Sequence, residues 1–121
     1  MTEKQFQGKV IKFLKSQPNT WFFKVFGGGY QRAGIPDLIC CINGVFIAIE
    51  LKGDNGKPTE IQKMNIRNIN AAGGIGVILY PEGFKKFKKL IKEVNSCSLA
   101  SAGWSALKNA SFSSILDTSK D

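Results

Sequence analysis

Asp37, Glu50 and Lys52 are the residues of this chain whose types and spacing could do chemistry together. Leu38–Ile42 and Val45–Leu51 are apolar runs that read as strands, and only Asn43-Gly44 separates them. Asn-Gly is the strongest short signal for a two-residue hairpin turn. With that turn, Ile42 pairs with Val45. Counting along the ladder sets Asp37 opposite Glu50, side chains on one face and β-carbons roughly 5 Å apart. Lys52 lies two residues further on and projects from the same face. Carboxylates so placed repel each other, and a divalent cation between them removes the repulsion. Such a site suits phosphodiester hydrolysis. The cation supplies a Lewis acid and lowers the pKa of a bound water. Lys52 can orient the water or stabilise charge on the phosphorane. As a base, Lys52 needs a depressed pKa, which a nearby cation could provide. The plainer reading is a strand started by Pro36-Asp37 and a strand-end ion pair of Glu50 with Lys52. It gives the facing carboxylates no purpose.

The composition narrows the chemistry further. The chain has 121 residues, of which 43% are hydrophobic, enough for one domain with a core. It contains no histidine, so imidazole acid–base catalysis and imidazole-bound zinc are excluded. The remaining hard donors are carboxylates, carbonyls and water, which suit Mg²⁺ or Mn²⁺. Three cysteines without a pairing framework fit a reducing compartment, and the expectation is a cytoplasmic protein. No apolar run is long enough for a membrane span, and the first residues do not read as a signal peptide. Net charge is +8, and residues 1–95 carry all of the excess. A basic body points to a polyanionic partner, with nucleic acid foremost.

The elements that must position the trio follow from periodicity and capping. Thr2 with Gln5 forms a capping box for a first helix whose apolar stripe is Phe6, Val10, Phe13 and Leu14. Residues 21–26 are strongly β-prone. Residues 27–34 form a glycine-rich loop, and the hairpin follows. Its apolar residues occupy both faces, so cover is expected on both sides of the sheet, with Cys40 and Cys41 in the core. Thr59 and Gln62 form a second capping box, and that helix runs to about Ala72 before Gly73-Gly74. Residues 75–80 are a short buried strand. A basic helix spans residues 83–95. The order is α-β-β-β-α-β-α. From Ser96 the composition turns serine-rich, yet Leu99, Trp104, Leu107 and Phe112 are too apolar for a plain tail. Residues 96–121 read as an appendage of short helices packing on the body or on a second subunit.

Gly34-Ile35-Pro36-Asp37, with Glu50-Leu51-Lys52 beginning thirteen residues after Asp37, resembles the PD-(D/E)xK nuclease signature. With Gln31-Arg32 before it and Gln62 on the next helix, it is similar to the virus-type replication-repair nuclease (VRR-NUC) branch. The resemblance covers residues 2–94. It implies an α/β (α+β) restriction-endonuclease-like fold, an α-β-β-β-α-β core with a mixed sheet flanked by helices. It implies Asp37, Glu50 and the Leu51 carbonyl as ligands of Mg²⁺ or Mn²⁺, with Glu3 binding metal through water. It also implies that Gln62 reaches the attacking water or phosphate. Glu3 is otherwise a first-turn acid favoured by the helix dipole, and Gln62 is otherwise only a cap. Stand-alone members resembling this chain occur in phages and are similar to Holliday junction resolvases acting as homodimers. The expected enzyme is therefore a structure-selective DNA endonuclease. The alternatives are a flap-cleaving or restriction-like nuclease of the same fold, or an inert nucleic-acid-binding module. Gln31, Arg32, Lys57, Lys85, Lys86 and Lys89 are the expected DNA contacts. For the lysines on the last helix a solvated face is the competing reading. The triple glycine lacks a following Gly-Lys-Ser/Thr, so nucleotide triphosphate binding is not expected.

Overall fold

A computed structural model describes residues 1–27 and 33–96. The elements are α1 (Glu3–Ser16), β1 (Thr20–Lys24), β2 (Leu38–Ile42), β3 (Val45–Leu51), α2 (Glu60–Ala71), β4 (Ile75–Leu79) and α3 (Phe84–Ser96). One 3₁₀ turn, Pro81–Gly83, leads into α3. The class is α+β with a four-stranded mixed sheet, in the order β1-β2-β3-β4. The hairpin has the expected register, with Ile42 opposite Val45 and Leu38 opposite Ile49. Asn43 and Gly44 both have positive φ, 49° and 82°, as a primed two-residue turn requires. Both expected capping boxes are formed, Thr2 with Gln5 and Thr59 with Gln62.

The sheet has two unequal faces. On one, Leu38, Cys40, Ile42, Ile47 and Ile49 pack against Phe6, Val10 and Leu14 of α1 and Phe87, Leu90 and Ile91 of α3. Each such fully buried side chain contributes about 1.5–3 kcal/mol. On the other, Ile66 of α2 packs on Ile78 and Tyr80. β3 and β4 are parallel, so α2 is the crossover between them and lies over the strands it connects. The face over β1 and β2 receives no such cover among the described residues.

That geometry corrects two expectations. The hairpin is covered on both sides only from Ile47 to Leu51 of β3. Cys40 is buried but Cys41 is exposed, because Cys41 points to the face that α2 does not reach. Burial pushes the Cys40 thiol up to about 12, which removes the reactive thiolate. In the native protein a maleimide is therefore expected to modify Cys41 and leave Cys40 unmodified until denaturant is added. The two cysteines share one peptide, so fragment-ion mass spectrometry locates the label, and labelling of Cys40 at an equal rate would refute the assignment of faces.

The first strand also ends earlier than its composition suggests, at Lys24 rather than residue 26. Val25 N–H still donates to the Asp37 carbonyl, at 2.8 Å. The last paired residues are Lys24 and Leu38, the first residue of β2, so the ladder stops there. The glycine-rich segment 28–32, with Gln31 and Arg32, and the appendage beyond Ser96 lie outside the described residues. No described helix is long and apolar enough to cross a membrane.

Candidate active site

Because β2 and β3 are antiparallel, the first residue before β2 and the last residues of β3 meet at one end of the sheet. Asp37 Oδ2 accepts a hydrogen bond from the Leu51 N–H at 2.8 Å. This pins the Asp37 carboxylate against the strand that carries Glu50. Glu50 is only 2% exposed, and its Oε2 lies 3.3 Å from Lys52 Nζ. Lys52 is buried as well. Glu50 Oε1 is buried and has no hydrogen-bond partner. A buried acceptor left unpaired costs about 1–3 kcal/mol, and more when it is charged.

The electrostatics follow from this crowding. Burial, then repulsion from Asp37, pushes the Glu50 carboxyl up to about 8, although Lys52 pulls the other way. Glu3, on the first turn of α1, is raised by partial burial and by Asp37, again opposed by Lys52. Its response to both groups puts Glu3 within the field of the trio. Gly53 permits the approach. A Cβ on Gly53 would lie 2.9 Å from the Glu3 backbone nitrogen, so α1 reaches the exit of β3 only because no side chain is present there.

The donor set fits a hard divalent cation. Glu50 Oε1 is an orphaned buried oxygen facing a second carboxylate. The Leu51 N–H points toward Asp37, while the Lys52 N–H points to Leu79 on β4. In a ladder a residue's N–H and C=O face the same neighbour, so the Leu51 carbonyl turns to the Asp37 side. No group of three or more His, Cys, Asp or Glu side chains among the described residues could hold a metal alone. A cation here would rely on two carboxylates, a carbonyl, water and phosphate oxygens, the mixed set Mg²⁺ usually takes.

The other expected site residues divide. Gln62 Oε1 accepts from the Thr59 N–H at 2.9 Å, so its carbonyl oxygen is committed to the cap. Lys57 is exposed in the turn that follows Lys52. Lys85, Lys86 and Lys89 are carried on α3, which covers the sheet face opposite Glu50. The fold does not bring them to the trio. Asp54 pairs with the Met1 ammonium beside the site.

Two residues that position the site were not singled out from the sequence. Asn65 is buried on α2, and its Nδ2 donates to the Gly34 carbonyl at 2.9 Å and lies 3.4 Å from the Ala33 carbonyl. Gly34 has φ +76°, and a Cβ there would meet Ile61 Cγ2 at 2.2 Å. Helix α2 thus clamps the loop that delivers Asp37. The available signal was Asn65 itself, a poor helix former three residues beyond the capping Gln62.

Comparison with family models, with curated proteins and with solved structures returned no match.

Proposed function

We propose that this chain is a metal-dependent, structure-selective DNA endonuclease of the restriction-endonuclease-like, VRR-NUC type, acting on branched DNA such as a Holliday junction. The observation that carries the reading is the buried Glu50 beside a half-buried Asp37, with an unpartnered Glu50 oxygen next to Lys52. The ion pair with Lys52 engages Glu50 Oε2 and leaves the second oxygen unsatisfied. Mg²⁺ or Mn²⁺ bound by Asp37, Glu50 Oε1 and the Leu51 carbonyl would neutralise phosphate charge and acidify the attacking water.

The chain's own residues account for the rest. Asp37 is held rigid by Leu51 N–H, so its free oxygen presents a fixed acceptor. Lys52 is shielded from solvent, where its charge acts more strongly than in water, and it stabilises the negative charge that develops on the phosphate. Glu3 stands at the rim, where it can accept a hydrogen bond from the attacking water. Helices α1 and α3 carry nine lysines against Glu3 and Glu93, which favours a polyanion on the molecule. A homodimer with two equivalent sites would suit the two equivalent strands of a four-way junction.

The test is cleavage of labelled four-way junction, flap and matched duplex with Mg²⁺ or Mn²⁺, comparing the native chain with Lys52→Ala. Paired symmetric nicks confined to the junction, lost in Lys52→Ala and in EDTA, are the expected result. Cleavage of flaps instead keeps the chemistry and moves the substrate. Absence of metal-dependent cleavage on every substrate overturns the enzyme and leaves a basic binding protein.

A further inference from the structure

The trio shares its face of the sheet with a ridge of exposed aromatic rings. Val25 is paired to Asp37 through its N–H, Phe23 lies opposite Ile39, and Trp21 lies opposite Cys41. Side chains of paired residues share a face, so Phe23 and Trp21 step away from Asp37 along β1 at roughly 7 Å per step. Trp21 is 64% exposed and Phe23 45%. Their ring centroids are 5.5 Å apart with a 59° tilt. Just past the strand end, Lys24 Nζ lies 5.0 Å above the exposed ring of Phe26. On the far side of the ridge runs a groove of about 330 Å³, with Ile39 and Phe46 in it and Asn65 and Asn68 of α2 along its wall.

Exposed aromatic rings on an edge strand invite aggregation, so the ridge calls for an occupant. An unpaired nucleotide fits the ridge. Its base has a π-face that can stack on Trp21 and Phe23, and its phosphate complements a chain of net charge +8. A second copy of the chain or an apolar peptide would cover the rings. Neither would explain why the row of rings starts one ladder step from Asp37. Resting on the nuclease reading, we propose that Trp21 and Phe23 are a stacking platform for unpaired bases of the strand being cut. The substrate class is then DNA with single-stranded nucleotides beside the scissile phosphate.

The experiment measures binding of a labelled short oligothymidylate and of a matched duplex to the full chain in EDTA, at one fixed salt concentration. Trp21→Ala and Phe23→Ala are each expected to weaken oligothymidylate binding roughly 5- to 150-fold and to leave duplex affinity unchanged. Trp21→Tyr is expected to retain most of the binding. The side chains are exposed, so folding should be intact, and circular dichroism checks it. In a Trp104→Phe background, oligothymidylate should quench the remaining Trp21 emission. Equal losses for both probes, or no loss, overturn the platform. So does Trp21 emission already shielded from acrylamide before nucleic acid is added, which would mean that protein covers the ridge. A split between the probes with no metal-dependent cleavage of any substrate retires the nuclease reading and leaves the base-binding site. Cleavage without the split does the reverse.

Discussion

Glu50→Gln is expected to abolish metal-dependent cleavage and, in the same preparation, to stabilise the metal-free protein at pH 8. The two effects have one origin. Glu50 is the buried carboxylate whose unpartnered oxygen faces Asp37. An amide there is a poor ligand for a hard cation, so the Lewis-acid contribution of several kcal/mol is lost. Activity should fall by roughly three orders of magnitude or more. The stability effect has the opposite sign. The folded, metal-free chain holds the Glu50 proton up to about pH 8, against the ordinary 4.5 of an unhindered glutamate. Between those values the folded state binds the extra proton, so stability is highest below 4.5 and is lost as pH rises through 8. The loss is about 1.4 kcal/mol per pH unit inside that window. The amide of the Glu50→Gln variant carries no proton to lose, so the variant should show no such slope. Urea midpoints in EDTA at pH 5 and pH 8 read the difference, and equal slopes for the two proteins would sink the argument. Added Mg²⁺ or Mn²⁺ should restore the native chain at pH 8 and do nothing for the variant. Glu3 is exposed where Glu50 is buried, so Glu3→Gln should shift the midpoint only slightly.

The part of this site that lies on adjacent strands was legible because local chemistry dictates it. Asn43-Gly44 admits essentially one turn, the turn fixes the register, and the register sets Asp37 across from Glu50. The capping boxes were equally local, since Thr2 with Gln5 and Thr59 with Gln62 each satisfy their own helix start. What was hidden depends on where α2 lands. The alternation of residues 38–42 gives Cys41 a face but not what covers that face. Only the crossover geometry of β3-α2-β4 decides that α2 covers Ile78 and leaves Cys41, Phe46 and Trp21 bare. The roles of Asn65 and Gly34 were hidden for the same reason, because their contact joins residues 31 positions apart. Periodicity could not end β1 at Lys24 either. That stop depends on the paired segment, where β2 begins only at Leu38.

Gly34→Ala should damage both fold and catalysis, and pairing it with Ile61→Ala separates the two. Gly34 sits at φ +76°, where any side chain is strained, at about 1–2 kcal/mol. The new methyl would also lie 2.2 Å from Ile61 Cγ2 and 3.0 Å from the Ile61 carbonyl carbon. Relieving that overlap costs a further ~1–3 kcal/mol. The total is about 2–5 kcal/mol by urea denaturation, adding the two costs. Ile61 is 46% exposed, so Ile61→Ala alone should change stability by only about 0.5 kcal/mol. In the double variant the overlap with Cγ2 disappears, while the backbone strain and the approach to the Ile61 carbonyl remain. Roughly half of the lost stability should therefore return, as a coupling between the two substitutions. Catalysis follows a different route. Asn65 holds the Gly34 carbonyl, and Asp37 leaves the same loop three residues later. On the proposed mechanism, moving that loop by about 1 Å displaces the Asp37 carboxylate and should cost on the order of 100-fold in cleavage. If the double variant regains stability and cleavage together, the clash alone displaced Asp37. If stability returns without cleavage, the left-handed backbone at Gly34 itself sets the carboxylate. A Gly34→Ala protein as stable and as active as the native chain would show that the clamp on this loop has no functional consequence.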